Sequence, residues 1–339
     1  MAGPTRLPAV TALASDEIAD LLGVPKFRGK QIRAWVVERG ATTFEEMTDL
    51  PLDLRATLPD RLRVLTSAID QKQGSRDGTR KLLLTMEDGT FVECVLIPEG
   101  DRLTLCVSSQ VGCPARCAFC ASGLRGLTRS LEAHEILEQF VHARRVAGET
   151  KISNIVMMGM GEPLLNFDNV VAALDLFPLG ARRITVSTVG LPDRMRRLAR
   201  ESRKVNLAVS LHAPDDETRN RLVPVNAKFG IGEVVSAARD YFKVTGRDVT
   251  YEYILIEGEN ASLAHAERLV RLLGRGNLNV NLIPMNPVES LPYRPPSDEQ
   301  VEAFRAHLQA AGIPTHVRRP RGREIDAACG QLRLKRLEQ

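Results

Sequence analysis

The sequence predicts an α/β fold: a partial barrel of six β/α units in series, with an accessory α+β unit before it and a C-terminal extension after it. Three observations predict this. From Arg102 onward, short β-branched runs alternate with amphipathic segments of helical length. Cysteine-bearing and polar motifs fall directly after the strand candidates, where a parallel barrel carries its chemistry. Residues 1–90 lack that alternation and show helical segments followed by strand-like runs.

The strand candidates are Leu103–Ser108, Ile152–Met158, Ile184–Ser187, Val205–Leu211, Val249–Ile256 and Leu278–Pro284. Between and after them, Leu131–Val146, Asp168–Leu176, Asp193–Ser202, Ile231–Thr245, Leu263–Leu273 and Asp298–Ala311 read as helices. Strands joined by crossover helices pair in parallel. In the N-terminal region Ser15–Leu22 and Gly29–Arg39 read as short helices, the second with Ile32, Trp35 and Val36 on one face. Leu65–Gln71, Arg80–Met86 and Phe91–Pro98 read as strands, separated by Gly74, Asp77-Gly78 and Asp88-Gly89. The expected division is residues 1–98 for the accessory unit and 99–339 for the barrel with its extension.

Composition narrows the class. A chain of 339 residues with 43% hydrophobic and 26% charged side chains can bury one large or two modest cores, which excludes disorder throughout. No stretch approaches the roughly 20 apolar residues of a membrane span, and Met1–Val10 does not read as a secretory signal. A cytoplasmic protein without membrane contact is expected. Net charge is only +4, but it is unevenly spread. Residues 1–90 balance 13 basic against 13 acidic groups, whereas Ala181–Lys204 carries eight basic groups against Asp193 and Glu201. His316–Gln339 carries seven basic groups against three acidic ones. Either segment is a candidate grip on a polyanion or simply a solvated face.

Six cysteines are too few for a disulfide scaffold in a chain of this length. Cys113, Cys117 and Cys120 form C-x3-C-x2-C, while Cys94, Cys106 and Cys329 lie elsewhere. Three thiolates on one short loop make a metal site. Structural zinc wants four closed ligands, whereas an iron–sulfur cluster held by three thiolates keeps one iron open for a small molecule. The spacing favours the open cluster, with zinc borrowing Cys106 or Cys329 as the alternative.

The loop Val111-Gly-Cys-Pro-Ala-Arg-Cys-Ala-Phe-Cys120, placed after a first strand, together with Gly-Glu-Pro163 after the second, resembles the radical S-adenosylmethionine (SAM) superfamily. The resemblance narrows to the RlmN/Cfr family of radical SAM RNA methyltransferases. It is carried by Cys106–Cys113, Met158–Asn166, Ser210–Pro214, Asn281–Pro287 and Ile325–Leu332, and by Phe44–Pro51 in the accessory region.

That resemblance implies a radical SAM barrel, a [4Fe-4S] cluster on Cys113, Cys117 and Cys120, and SAM as cofactor. It implies methylation of C2 of adenosine in 23S rRNA at the peptidyl-transferase centre and in tRNA beside the anticodon. An electron-poor ring carbon cannot attack a sulfonium methyl group, so radical chemistry is required, with the protein holding and shielding the reactants. By resemblance, Cys329 carries the methyl group, Cys106 attacks Cys329 to release the product as a disulfide forms, and Glu93 is the general base. Gly161, Glu162, Ser187, Ser210, Leu211, His212 and Asn286 match SAM-contacting positions, with Glu162 accepting from the methionyl amino group. Cys94 matches no catalytic position.

Taken singly, several of these residues have plainer readings. Cys106 on an apolar strand reads as a small buried hydrophobe, Glu93 as a solvent-facing alternation site, and His212 as a satisfied core histidine. The basic runs Arg318–Arg323, Arg182–Lys204 and Lys26–Lys30 suit phosphate neutralisation, while only 4% aromatic residues argues against a stacking platform. RNA shape and a flipped-out adenine fit better. A flavodoxin-type single-electron donor and a monomeric enzyme complete the expectation. Adenosine C8 methylation, a zinc-stabilised RNA-binding protein and a radical SAM enzyme for small molecules stay open at this point.

Overall fold

The structure, a computed structural model, describes residues 7–332; Arg333, Lys335 and Arg336 of the basic C-terminal run lie outside the described residues. Helix α1 (Ser15–Leu22) opens with Glu17 accepting from the Ala14 N–H at 2.7 Å and closes at Gly23 in the left-handed region. Helix α2 (Lys26–Val37) begins earlier than the pattern suggested, because Pro25 ends the preceding turn. Gly29 is where α1 and α2 touch: a side chain there would strike the Ser15 carbonyl. Ile32 and Val36 are buried as expected, with Met47, Leu50, Leu58 and Leu62, whereas Trp35 stays half-buried and donates to Asp49 at 2.6 Å. A short α3 (Leu52–Thr57) follows.

Three antiparallel strands come next: β1 (Ala68–Gly74), β2 (Arg80–Thr85) and β3 (Phe91–Glu99). The first begins at Ala68 rather than Leu65 because Thr66 and Ser67 are held by a carboxylate. Glu138 of α4 (Ala133–Ala147) is wholly buried and accepts from Thr66 N–H and Ser67 N–H, each at 2.8 Å, and from the Thr11 hydroxyl at 2.7 Å. Those bonds clamp the N-terminal segments onto the barrel's first helix.

Strand β4 (Arg102–Cys106) pairs antiparallel with β3, so one ten-stranded sheet runs from the accessory region into the barrel. From β4 the pairing is parallel through β7 (Asn154–Met157), β8 (Ile184–Thr188), β9 (Asn206–Ser210), β10 (Val249–Leu255) and β11 (Leu278–Pro284). The crossovers are α4, α5 (Phe167–Leu176), α6 (Pro192–Arg200), α7 (Asp216–Leu222) with α8 (Ile231–Thr245), α9 (Leu263–Leu273) and α10 (Asp298–Ala310). The α/β partial barrel is therefore as the alternation predicted.

Two features add to it. A hairpin of β5 (Gln110–Gly112) and β6 (Leu127–Ser130) brackets the cysteine loop, and β12 (Thr315–Val317) adds a seventh parallel strand beside β11. The chain then turns back across the barrel toward the β1–β2 hairpin, where Gly322 N–H donates to Asp77 at 2.9 Å. Among the described residues no helix is long and apolar enough to cross a membrane.

Candidate active site

The parallel strands end on one cavity. Its walls include Cys113, Cys117 and Cys120 from the loop after β5, Gly161 and Glu162 after β7, Ser187 at the end of β8, and Ser210 and His212 at and after β9. The loop is fixed from three sides. Cys113 N–H donates to Gly126 at 2.9 Å, Ala118 N–H to Leu222 at 2.9 Å, and Ala121 N–H to Gly330 at 2.8 Å. Burial pushes Cys113 up to about 12 and raises Cys117 and Cys120 as well, so the bare thiols hold their protons.

Among the described residues no group of three or more His, Cys, Asp and Glu side chains is placed to hold a single metal ion. Cys113, Cys117 and Cys120 line one cavity together with Glu162, and three thiols on one loop are the donor set of an iron–sulfur cluster that keeps one iron open.

Glu162 is buried and aimed across the cavity, with Leu164 N–H donating to Oε1 at 3.0 Å and Val189 N–H to Oε2 at 2.8 Å. Burial pushes its carboxyl up to about 7 against those two bonds. Its contribution to stability is thus fully present below the unfolded value of 4.5 and lost as pH rises through about 7. At about 1.4 kcal/mol per pH unit, that loss is on the order of 3 kcal/mol in the cofactor-free protein. Glu162→Gln should flatten this part of the pH profile. Urea midpoints at pH 5 and pH 8 measure it, and identical pH slopes for variant and wild type would refute it.

His212 sits in the left-handed region at φ 62°, its ring edge-on to Phe119 of the cysteine loop at 4.8 Å between centroids. Ile254 N–H donates to Nδ1 at 3.0 Å, which leaves the neutral ring's proton on Nε2. Burial and then the Arg219 charge pull it down to about 3. Gly161, at φ 103°, lines the cavity, but the close approach that demands glycine there is to protein: a Cβ would meet Ser109 Oγ and Gln110 at 2.7 Å. Leu211 does not line the cavity. Its N–H donates to the Glu252 carbonyl at 3.0 Å and its own carbonyl accepts from Arg219 at 2.9 Å.

A second cavity adjoins the first. It contains both Cys106 and Cys329, and shares Met158, Gly159, Ile283, Arg318 and Cys329 with its neighbour. Asn286 lines this second cavity, donating from Nδ2 to the Cys329 carbonyl at 3.2 Å. The tail is further held by Ser122 Oγ donating to Leu332 at 2.7 Å and Gln331 to Pro287 at 2.9 Å. Burial pushes Cys106 up to about 12, and the protein packed around the Cys329 thiol raises it too, while Arg318 opposes both shifts.

Glu93 lines neither of these cavities. Its carboxylate pairs with Lys81 at 2.9 Å, both side chains buried, in a third cavity walled by Gln71, Gln73, Glu324 and Asp326. Register nevertheless keeps it close to Cys106: Val95 pairs with Cys106, and Glu93 lies two residues along β3 on the same face. Such diagonal neighbours have Cα atoms about 7–8 Å apart. Cys94 faces the other way and is wholly buried in the core.

The basic segments divide. Arg196 pairs with Asp240 at 3.0 Å, Arg197 with Asp168 at 2.6 Å, and Lys204 donates to the Ala199 and Glu201 carbonyls. Arg196 and Arg197 thus tie α6 to α8 and α5, and Lys204 closes the end of α6. Arg318, Arg319 and Arg321 all line the thiol cavity, and Arg318 also lies 3.7 Å from Glu252. Two buried residues escaped sequence reasoning. Glu252 lies mid-strand between tyrosines, where alternation reads as a solvent position, and Arg219 is hidden in the highly charged Asp-Glu-Thr-Arg-Asn-Arg run.

Residues 107–272 match the family model of the Radical SAM superfamily, and residues 16–64 that of the Ribosomal RNA large subunit methyltransferase N-terminal domain. The crystal structure of a radical SAM methyltransferase from Sphaerobacter thermophilus superposes with a TM-score of 0.91 at 46% identity, covering 96% of this chain and 99% of that one. Fold and site thus define a radical SAM protein, a class that uses a [4Fe-4S] cluster and SAM. A Rhodopirellula baltica protein named "Probable dual-specificity RNA methyltransferase RlmN" is 48% identical over 333 residues, covering 95% of this chain and 90% of the relative. A protein of the same name from Akkermansia muciniphila is 43% identical over 347 residues, covering 97% and 96%. The chain belongs to the RlmN/Cfr family of radical SAM RNA methyltransferases.

Proposed function

We propose that the chain methylates C2 of adenosine in 23S rRNA and in tRNA, with Cys329 as methyl carrier and Cys106 as the thiol that releases the product. The observation that carries this reading is the pair of cavities: Cys106 and Cys329 line one, and it shares Cys120, Arg318 and Cys329 as walls with the other, which all three clustered thiols line. A bound, reduced cluster would supply the single electron that splits SAM into a carbon-centred radical.

In this reading Cys113, Cys117 and Cys120 hold the cluster. Glu162 takes the methionyl ammonium, with Ser187, Ser210, His212 and Gly161 around it, and Leu211 and Asn286 support these positions from behind and beside. Cys329 Sγ would give up its proton and take a methyl group from one SAM, with S-adenosylhomocysteine leaving. Loss of a hydrogen atom from that methyl group to the SAM-derived radical would let its carbon bond to C2 of the adenine, the surplus electron returning to the cluster. Glu93 takes the C2 proton, with Lys81 beside its carboxylate. Cys106 Sγ then attacks Cys329 Sγ: the S–S bond forms, the S–C bond breaks, and its electron pair leaves with the product carbon, which gains a proton.

Within the chain, residues 1–98 act as the accessory RNA-contacting unit and 99–339 as the barrel and tail. Arg319 and Arg321 at the thiol cavity suit RNA phosphates beside the reacting base. A flavodoxin-type donor, a cytoplasmic setting and a monomeric enzyme complete the proposal. The test is nucleoside analysis of 23S rRNA and tRNA after incubation with cluster-loaded protein, SAM and a reductant. The expected product is 2-methyladenosine from both RNAs; 8-methyladenosine, or no modified nucleoside, would overturn the assignment.

A further inference from the structure

Among the described residues, buried carboxylate oxygens have hydrogen-bond partners with one exception. Glu138, Glu162 and Glu93 meet N–H groups, hydroxyls or a lysine. Glu252 Oε1 accepts from Asn281 Nδ2 at 2.9 Å and lies 3.7 Å from Arg318. Its second oxygen, Oε2, is buried with no hydrogen-bond partner, the only carboxylate oxygen so placed among the described residues. Buried acceptors are rarely left unsatisfied, so this oxygen is placed for a donor from outside the chain.

Placement says which donor. Glu252 is 4% exposed and lines the same cavity as the clustered thiols and Glu162. It stands in register with Ser210 on β9, whose hydroxyl lies 3.5 Å from that of Ser187 on β8. Across the sheet the order is cysteine loop, Glu162, Ser187, Ser210, Glu252. If the SAM ammonium sits at Glu162, the remaining polar side chains along the cavity, on β9 and β10, are left for its sugar. A carboxylate accepts only, and a ribose diol offers two donors.

We propose that Glu252 binds SAM by accepting a hydrogen bond at Oε2 from a ribose hydroxyl. The inference rests on the SAM reading of the cavity. It also gives Glu252 two faces, one toward the cofactor and one toward Arg318, which borders both thiols.

Calorimetric titration of cluster-loaded protein with S-adenosylhomocysteine and its 2′-deoxy and 3′-deoxy analogues tests it. Wild type should lose about ten- to hundredfold in affinity when the bonded hydroxyl is removed. Glu252→Gln should lose a similar factor with the parent compound and little further with the analogue. Because both arms use one variant, any indirect effect through Arg318 cancels in the cycle. Wild type binding both deoxy analogues as tightly as the parent overturns the proposal. So does full hydroxyl discrimination surviving in Glu252→Gln, or discrimination confined to S-inosylhomocysteine, which lacks the adenine amine. The wild-type series decides the matter even if the variant fails to fold. Wild type that binds no S-adenosylhomocysteine at all overturns the SAM reading itself, a separate failure from loss of discrimination.

Discussion

Cys329→Ala is expected to abolish methyl transfer, and Cys106→Ala to leave RNA covalently attached to the protein. In the proposed reaction the two thiols that line one cavity have different tasks, so their loss should stop it at different points. Without Cys329 Sγ there is no carrier, and RNA should come away unmodified. Without Cys106 Sγ the carrier still receives its methyl group and still bonds to adenine, but nothing breaks the S–C bond. The surroundings agree with this order. Cys106 is buried on β4, and burial pushes its thiol up to about 12, so in the free protein it holds its proton. Cys329 is solvent-accessible, on a tail tied down through Asn286, Ser122 and Pro287 by three hydrogen bonds. Denaturing gel electrophoresis of labelled RNA after a single turnover reads both variants. A retarded band should appear with Cys106→Ala alone. The same band with Cys329→Ala, or its absence from both, would show that the carrier has been misassigned.

The parts of this site legible in the sequence are those that one element supplies by itself. C-x3-C-x2-C announces a metal loop because three thiols need no distant partner to converge. The six parallel strands were legible because strands buried on both faces read as β-branched runs, and their helices as amphipathic ones. Cys329 and Cys106 came only through resemblance, since 223 residues separate them, from 106 to 329, and no local pattern joins them. Strand β12 and the β5–β6 hairpin, at three or four residues each, are too short to show a period. Glu93 shows the limit from the other side. Alternation assigned its face as solvent, yet β2 and the returning tail cover it and supply Lys81 as its partner.

Arg219 is expected to be the largest single contributor to the stability of the site, and nothing in its helix announces it. Its side chain is wholly buried at the C-terminal ends of β8 and β9. Nε donates to the Leu211 carbonyl at 2.9 Å, Nη1 to Asn226 at 2.6 Å, and Nη2 to the carbonyls of Val189 and Ser210. Burial pulls the guanidinium down to about 10, still protonated at neutral pH. Arg219→Met would keep the volume but strand these acceptors, at about 1–3 kcal/mol for each left unsatisfied. Removing a buried charge returns part of that cost. A net loss of about 2–4 kcal/mol is expected, a fall in melting temperature of roughly 3–6 °C for a chain of this size. The damage should reach the cofactor pocket, because Val189 connects the two: its carbonyl accepts from Arg219 and its N–H donates to Glu162 at 2.8 Å. S-adenosylhomocysteine binding should therefore weaken in step with the melting temperature. A variant that melts within 1 °C of wild type would show that the guanidinium is not the brace of these strand ends.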